Sequence, residues 1–263
     1  MASNHGGRRG IWRKIWPPTV VMLGLLSVWQ ASVSLGLFYS WIVPSPWAVV
    51  QESIKIGPRL AEHTGSTLRL TLMGFGFGAA GGFLLSMLLH LVPLLRSALY
   101  PLLILSQNVP LVVIAPLLTL LLGYGLLPKV LLVTMVCFFP VAIAMLSGLS
   151  GTDQVLLNYM RMIGSSKWQL FWRLELPYSI THLFSGLKIA ATYSMLSAVV
   201  AEWISPKNGL GGFLILSSRN YKPERVFAAV IIIVAISLLL FGLVLLAERF
   251  IVRWRTKKEG GLQ

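Results

Sequence analysis

Charge is scarce in this chain. Of its 263 residues, 11% are Asp, Glu, Lys or Arg, where soluble domains carry about 25%. That deficit excludes an ordinary water-facing surface and leaves the bilayer as the solvent. Cysteine is nearly absent: Cys137 stands alone in an apolar run, so no intrachain disulfide can form. The four histidines, His5, His63, His90 and His182, are scattered, with no Cys/His spacing that would hold a metal. No GxxxxGK[ST], HExxH or GxSxG occurs, so the chain has no phosphate cradle, zinc-protease helix or nucleophile elbow. We therefore expect no catalytic residue, no metal site and no cofactor on this chain. No pair of acids shares an apolar run, which leaves a proton relay little to work with.

What is present is long and apolar. The composition is 56% hydrophobic, with a mean hydropathy of +0.78. A span needs about 20 mostly apolar residues, and six runs qualify, at roughly 19–40, 66–91, 97–122, 129–149, 184–204 and 225–248. The expected fold is an all-α membrane protein with six transmembrane helices. It has a tail at 1–18, a membrane domain at 19–249, and a second tail at 250–263. The first run is too long for the apolar core of a cleavable leader and reads as an uncleaved span. The net charge of +14 does not point to nucleic acid. Arg8, Arg9, Arg13 and Lys14 precede the first run, and Arg253, Arg255, Lys257 and Lys258 follow the last. Such flanks anchor helices to an anionic leaflet. With the N-terminus inside, the inner segments hold 14 basic residues and the outer ones 8, so both termini are expected in the cytoplasm. The outer connections are then 41–65 and 205–224, the second rich in Gly and Pro and turning sharply.

Three features inside the runs carry polarity or backbone irregularity. Gly76-Phe-Gly78-Ala-Ala-Gly81 has the dinucleotide-binding form, but it lies in an uncharged apolar run. Gly74, Gly78 and Gly82, four apart, read instead as a packing ridge. Pro101, Pro110 and Pro116 interrupt the third run, with Ser106-Gln107-Asn108 before Pro110 and Thr119 beyond. Each internal proline frees a carbonyl that needs a partner. The third helix is therefore either a kinked, path-lining helix or a packing kink with interhelical hydrogen bonds. Tyr193, Ser194 and Ser197 give the fifth run a second polar stripe. The candidate translocation path is Gln107, Asn108, Thr119, Tyr193, Ser194, Ser197 and Glu202. Glu202 is the only acid near the interior of a span. Its place near the outer end of the span allows snorkelling or pairing, with Lys207 or Arg225 as candidate partners.

The longest polar stretch between apolar runs is the loop at 150–183. Leu156, Leu157, Met160 and Ile163 recur at helical spacing, Gly164-Ser165-Ser166 forms a turn, and Trp168, Phe171 and Trp172 follow. Leu176-Pro177 is expected to end the second helix. Without a partner this would be an amphipathic hairpin on the headgroups.

The spacing from Gly164 to Leu176-Pro177, with nine residues and Leu174 between, resembles the EAA loop of ABC importer permeases. Asn158-Tyr159-Met160 stands where that family has its EAA triplet. Further along the chain, in order, Pro44-Ser-Pro46, His63 with Thr67, Phe138-Phe139-Pro140, Gly186-Leu-Lys188, Ala201-Glu202-Trp203 and Gly209-Leu-Gly211 resemble the nitrate/sulfonate/taurine branch. The form around Gln107-Asn108 and Tyr193-Ser194 is similar to members proposed to carry hydroxymethylpyrimidine-type thiamine precursors. The resemblance implies a type I ABC importer permease in a prokaryotic inner membrane. It implies a homodimer with a cytoplasmic ATPase dimer, which holds ATP and Mg, and an extracytoplasmic substrate-binding protein. The implied ATPase-coupling residues are Asn158, Tyr159, Met160, Gly164, Ser165, Ser166, Lys167, Trp168, Leu176 and Pro177. The rival reading is an ion-coupled secondary transporter that works without an ATPase.

Overall fold

A computed structural model describes residues 6–39 and 42–252; the basic flank Arg253, Arg255, Lys257 and Lys258 lies outside them. The regular structure of the described residues is all helical, with no strand among them. In order they form α1 (Gly6–Ser34), α2 (Pro46–Lys55), α3 (Gly57–Leu91), α4 (Pro93–Ser106), α5 (Leu111–Leu122), α6 (Leu126–Ser150), α7 (Gln154–Met162) and α8 (Lys167–Leu170). A π-helical turn at Phe171–Glu175 leads into α9 (Leu176–Ile204), and α10 (Leu210–Arg219) and α11 (Pro223–Ile251) complete the chain.

Four helical stretches among the described residues are long and apolar enough to cross a bilayer: Gly57–Leu91, Leu126–Ser150, Lys167–Ile204 and Pro223–Ile251. The first expected span appears as the shorter apolar stretch Thr19–Ser34. The third is not one kinked helix but two short ones, α4 and α5, separated at Gln107–Pro110. Pro110 has no N–H to continue the ladder. Ser106 O, four residues before Pro110, accepts from Val109 N at 3.4 Å instead. Asn108 Nδ2 adds bonds to the carbonyls of Ile104 at 3.2 Å and Leu105 at 3.4 Å at the end of α4.

The core is α6, held between α3 and α9. Lipid gives helices no hydrophobic reason to associate, so close backbone approach and dispersion must do it. The glycine ridge supplies that approach. A Cβ on Gly78 would sit 2.6 Å from Cys137 Cβ and 2.7 Å from the Thr134 carbonyl; one on Gly82 would sit 2.7 Å from the Phe138 carbonyl. Of the two glycines of the dinucleotide-like pattern outside the ridge, Gly76 faces open space and Gly81 faces the Phe138 ring. On the neighbouring face of α6, a Cβ on Gly186 of α9 would lie 2.8 Å from both Ala144 Cβ and the Pro140 carbonyl. Gly78 and Gly186 therefore bring α3 and α9 onto adjoining faces of α6, close enough for α3 and α9 to pack on each other as well.

Around this core, α11 packs on α9, α10 and α2. Arg225 Nε donates to Glu52 Oε1 at 2.7 Å, tying the start of α11 to α2. Lys188 Nζ donates to Glu248 Oε2 at 2.9 Å, tying α9 to the far end of α11. The apolar residues of α1, α5 and α11 are largely exposed, as lipid-facing helices require.

Candidate functional site

The loop that follows α6 is built by local capping. Asp153 Oδ1 accepts from Val155 N at 2.8 Å and starts α7. Gly164 ends it with φ +81°, a conformation that a side chain resists; Ser165 N donates to Met160 O at 3.1 Å. Ser166 and Gln169 then form a reciprocal capping box that starts α8. Ser166 N donates to Gln169 Oε1 at 2.9 Å, and Gln169 N to Ser166 Oγ at 3.3 Å. Leu157, Leu170 and Phe171 are buried and anchor the loop to the bundle. Asn158, Tyr159, Gly164, Ser166, Lys167 and Trp168 are exposed, and Met160 and Ser165 half-buried. Met162 and Ile163 are exposed as well, at 85% and 60%, and the site as first drawn from the sequence omitted both. Their signal was available in the apolar spacing of α7.

Leu176-Pro177 does not end a helix. Pro177 lies in the first turn of α9, and Lys167–Ile204 runs on as one apolar stretch. Continuity is possible because the turn ahead of the proline widens: Leu176 N donates to Phe171 O, five residues back. A proline ring needs room at the preceding turn, and the π-helical geometry gives it.

The second feature is a cleft of about 620 Å³. The break at Ser106–Pro110 forms one wall, Met135, Val136, Phe139 and Ile143 of α6 the floor, and Ile189, Tyr193 and Leu196 of α9 the other wall. Gln107, Asn108 and Tyr193 of the expected path meet here. No charged side chain lines it. The other expected path residues lie elsewhere. Thr119 Oγ1 donates to Ala115 O at 3.0 Å on its own helix. Ser194 and Ser197 are fully buried, donating to Ala191 O at 2.8 Å and Ser194 O at 2.9 Å.

Glu202 belongs to a third feature. It is 1% exposed, and its partners are neither Lys207 nor Arg225, which is taken by Glu52. Thr67 Oγ1 donates to Glu202 Oε1 at 2.8 Å, and Gly211 N to Oε2 at 2.8 Å. Leu210 N donates to Thr67 Oγ1 at 2.7 Å, and Gly209 N to His63 Nδ1 at 3.1 Å. A carboxylate thus caps the N-terminus of α10, where free N–H groups and the helix dipole favour negative charge. Gly209 has φ +97°, and a side chain there would run into the Glu202 carboxylate. The paired residues are 135 positions apart, so sequence spacing gave no means of joining them.

These features define a class: a multi-pass helical membrane protein with a neutral cleft and a solvent-facing capped loop at one end. The chain belongs to the family described as "Binding-protein-dependent transport system inner membrane component", which matches residues 73–253. A probable ABC transporter permease protein of Haemophilus influenzae is 34% identical, over 90% of this chain and 98% of that protein. The formylaminopyrimidine transport permease protein ThiX of Halalkalibacterium halodurans is 30% identical, over 92% and 96%. The taurine transport system permease protein TauC of Escherichia coli is 29% identical, over 94% of each. Among solved structures, an amino acid ABC transporter shares the fold with a TM-score of 0.64 at 18% identity, covering 76% of this chain and 97% of that one. The chain is an ABC importer permease of the sulfonate/taurine branch and a multi-pass inner-membrane protein.

Proposed function

We propose that two copies of this chain form the membrane pathway of an ATP-driven importer. The 150–183 loop of each docks on a cytoplasmic ATPase that holds ATP and Mg. The observation that carries this reading is the loop itself. It is fixed by two caps and three buried anchors, yet presents Tyr159, Met162, Ile163 and Trp168 to solvent. Rigid, exposed aromatic and apolar side chains are the anchors of protein interfaces. The excess of basic residues on the same side supports a cytoplasmic loop. The opposite end, with α2 and α10, then faces the substrate-binding protein. Closure of the ATPases would draw the loops together, and rigid-body movement of the helices would open the path outward.

The cleft favours a neutral, flat solute. Gln107 and Asn108 offer amide donors and acceptors, Tyr193 and Phe139 offer ring faces, and no cation is present to pair with a sulfonate or nitrate. The relative named for formylaminopyrimidine points the same way. The test is uptake of labelled aminopyrimidine and labelled taurine by cells expressing the chain with its ATPase and binding protein. Uptake of the pyrimidine that stops when the ATPase cannot hydrolyse ATP supports the reading. Taurine uptake alone overturns the solute class, and uptake without the ATPase overturns the importer.

A further inference from the structure

The helices α3 and α9 are joined at both ends. At the end opposite the loop, Thr67 of α3 donates to Glu202 of α9. At the loop end, His90 of α3 donates through Nε2 to Glu175 Oε2 of the π-helical turn at 2.8 Å. Its other nitrogen, Nδ1, is buried without a hydrogen-bond partner among the described residues, so the Nε2 proton is the one shared with Glu175. From Thr67 to His90 a helix rising 1.5 Å per residue spans about 35 Å, more than the roughly 30 Å of hydrocarbon in a bilayer. Between the two bonds, α3 is seated closely on α6 at Gly78 and Gly82.

The His90–Glu175 bond sits at the π-helical turn that leads into α9. Helix Lys167–Ile204 runs directly from the loop to Glu202, but its π-helical turn interrupts the ordinary hydrogen-bond ladder. The exposed Trp168 stacks on the buried Phe171 with ring centroids 6.2 Å apart, and Phe171 stacks on His90 at 5.9 Å. A push on Trp168 therefore meets α3 as well as α9. We infer that His90 and Glu175 are positioning residues that brace the π-helical turn against α3. The loop, α3 and α9 then move as one frame and carry the displacement to α10. Without the brace the turn is a hinge, and loop movement is absorbed there.

This rests on the loop docking an ATPase, and the experiment separates the two ideas. Asn208→Cys places a reporter on the exposed start of the α10 segment, with Cys137 buried and silent. The complex is purified through a tag on this chain, and the maleimide labelling rate is measured with and without AMP-PNP. His90→Phe keeps the ring stack and removes the hydrogen bond; His90→Gln keeps a donor and removes the ring. Glu175→Ala removes the brace from the other side and serves if His90→Phe does not fold. We expect AMP-PNP to change the rate in the otherwise unmodified chain and in His90→Gln. We expect that change to be lost in His90→Phe and Glu175→Ala while the ATPase still co-purifies. A full response in His90→Phe or Glu175→Ala, or its loss in His90→Gln, overturns the brace. If no ATPase co-purifies with the unmodified chain, the docking reading falls and the brace falls with it.

Discussion

Replacing Thr67 with valine keeps its size and shape and removes one oxygen. That oxygen donates to the Glu202 carboxylate and accepts from Leu210 N, in a site where Thr67 is fully buried. The change leaves a buried backbone N–H and a carboxylate oxygen each short of a partner. An orphaned buried group costs about 1–3 kcal/mol, more when charged, so Thr67→Val should destabilise the protein by about 2–4 kcal/mol. For a chain of this size each kcal/mol moves a melting midpoint by roughly 2–4 °C. The expected loss is therefore of order 5–15 °C in detergent. Thr67→Ser keeps the oxygen and loses a methyl, which costs roughly 1 kcal/mol or less. Thermal unfolding of both variants, with proteolysis of the 205–210 segment as a local probe, decides the matter. Equal stability of the two would show that the hydroxyl is not what holds α10 to α3 and α9.

Other outcomes follow from particular contacts. Gly78→Leu should separate α3 from α6 and lower stability by about 1–3 kcal/mol or more, while Gly76→Ala, which meets nothing, should leave the melting midpoint unchanged. Gly164→Ala places a side chain at φ +81° and should cost roughly 1–2 kcal/mol locally, lowering ATPase co-purification without disturbing the bundle. Tyr193→Ala removes one wall of the cleft; uptake should fall while the complex with the ATPase stays intact, and unchanged uptake would remove the cleft from the path.

Much of this architecture was legible because membrane helices are written in long, uncharged runs. The ridge of Gly74, Gly78 and Gly82 was legible too, since spacing of four places residues on one helix face. The loop's turn at Gly164-Ser165-Ser166 was legible as well, because it is local. What escaped was non-local or depended on compensation. The 205–224 connection reads as a turn from its glycines and prolines, yet α10 forms within it because Glu202 and Thr67 cap its start from other helices. Glu202 reads as a path residue that needs a partner; its hydrogen bonds go to a hydroxyl and a backbone amide, with Lys129 lining the same pocket. Ser194 and Ser197 share a polar stripe but bond back to their own helix. Pro177 looked like a stop, and a widened turn upstream lets the helix continue.

The importer reading depends most on the loop touching an ATPase, and site-directed cross-linking measures that contact directly. Ser165→Cys places a thiol at the turn of the loop, and Asn208→Cys places one at the opposite end as a control. With a short bifunctional reagent in membranes holding the ATPase, Ser165→Cys should yield a product that contains the ATPase, and Asn208→Cys should yield none. Absence of that product from Ser165→Cys, while uptake still requires ATP, would contradict the assignment of this loop as the coupling element.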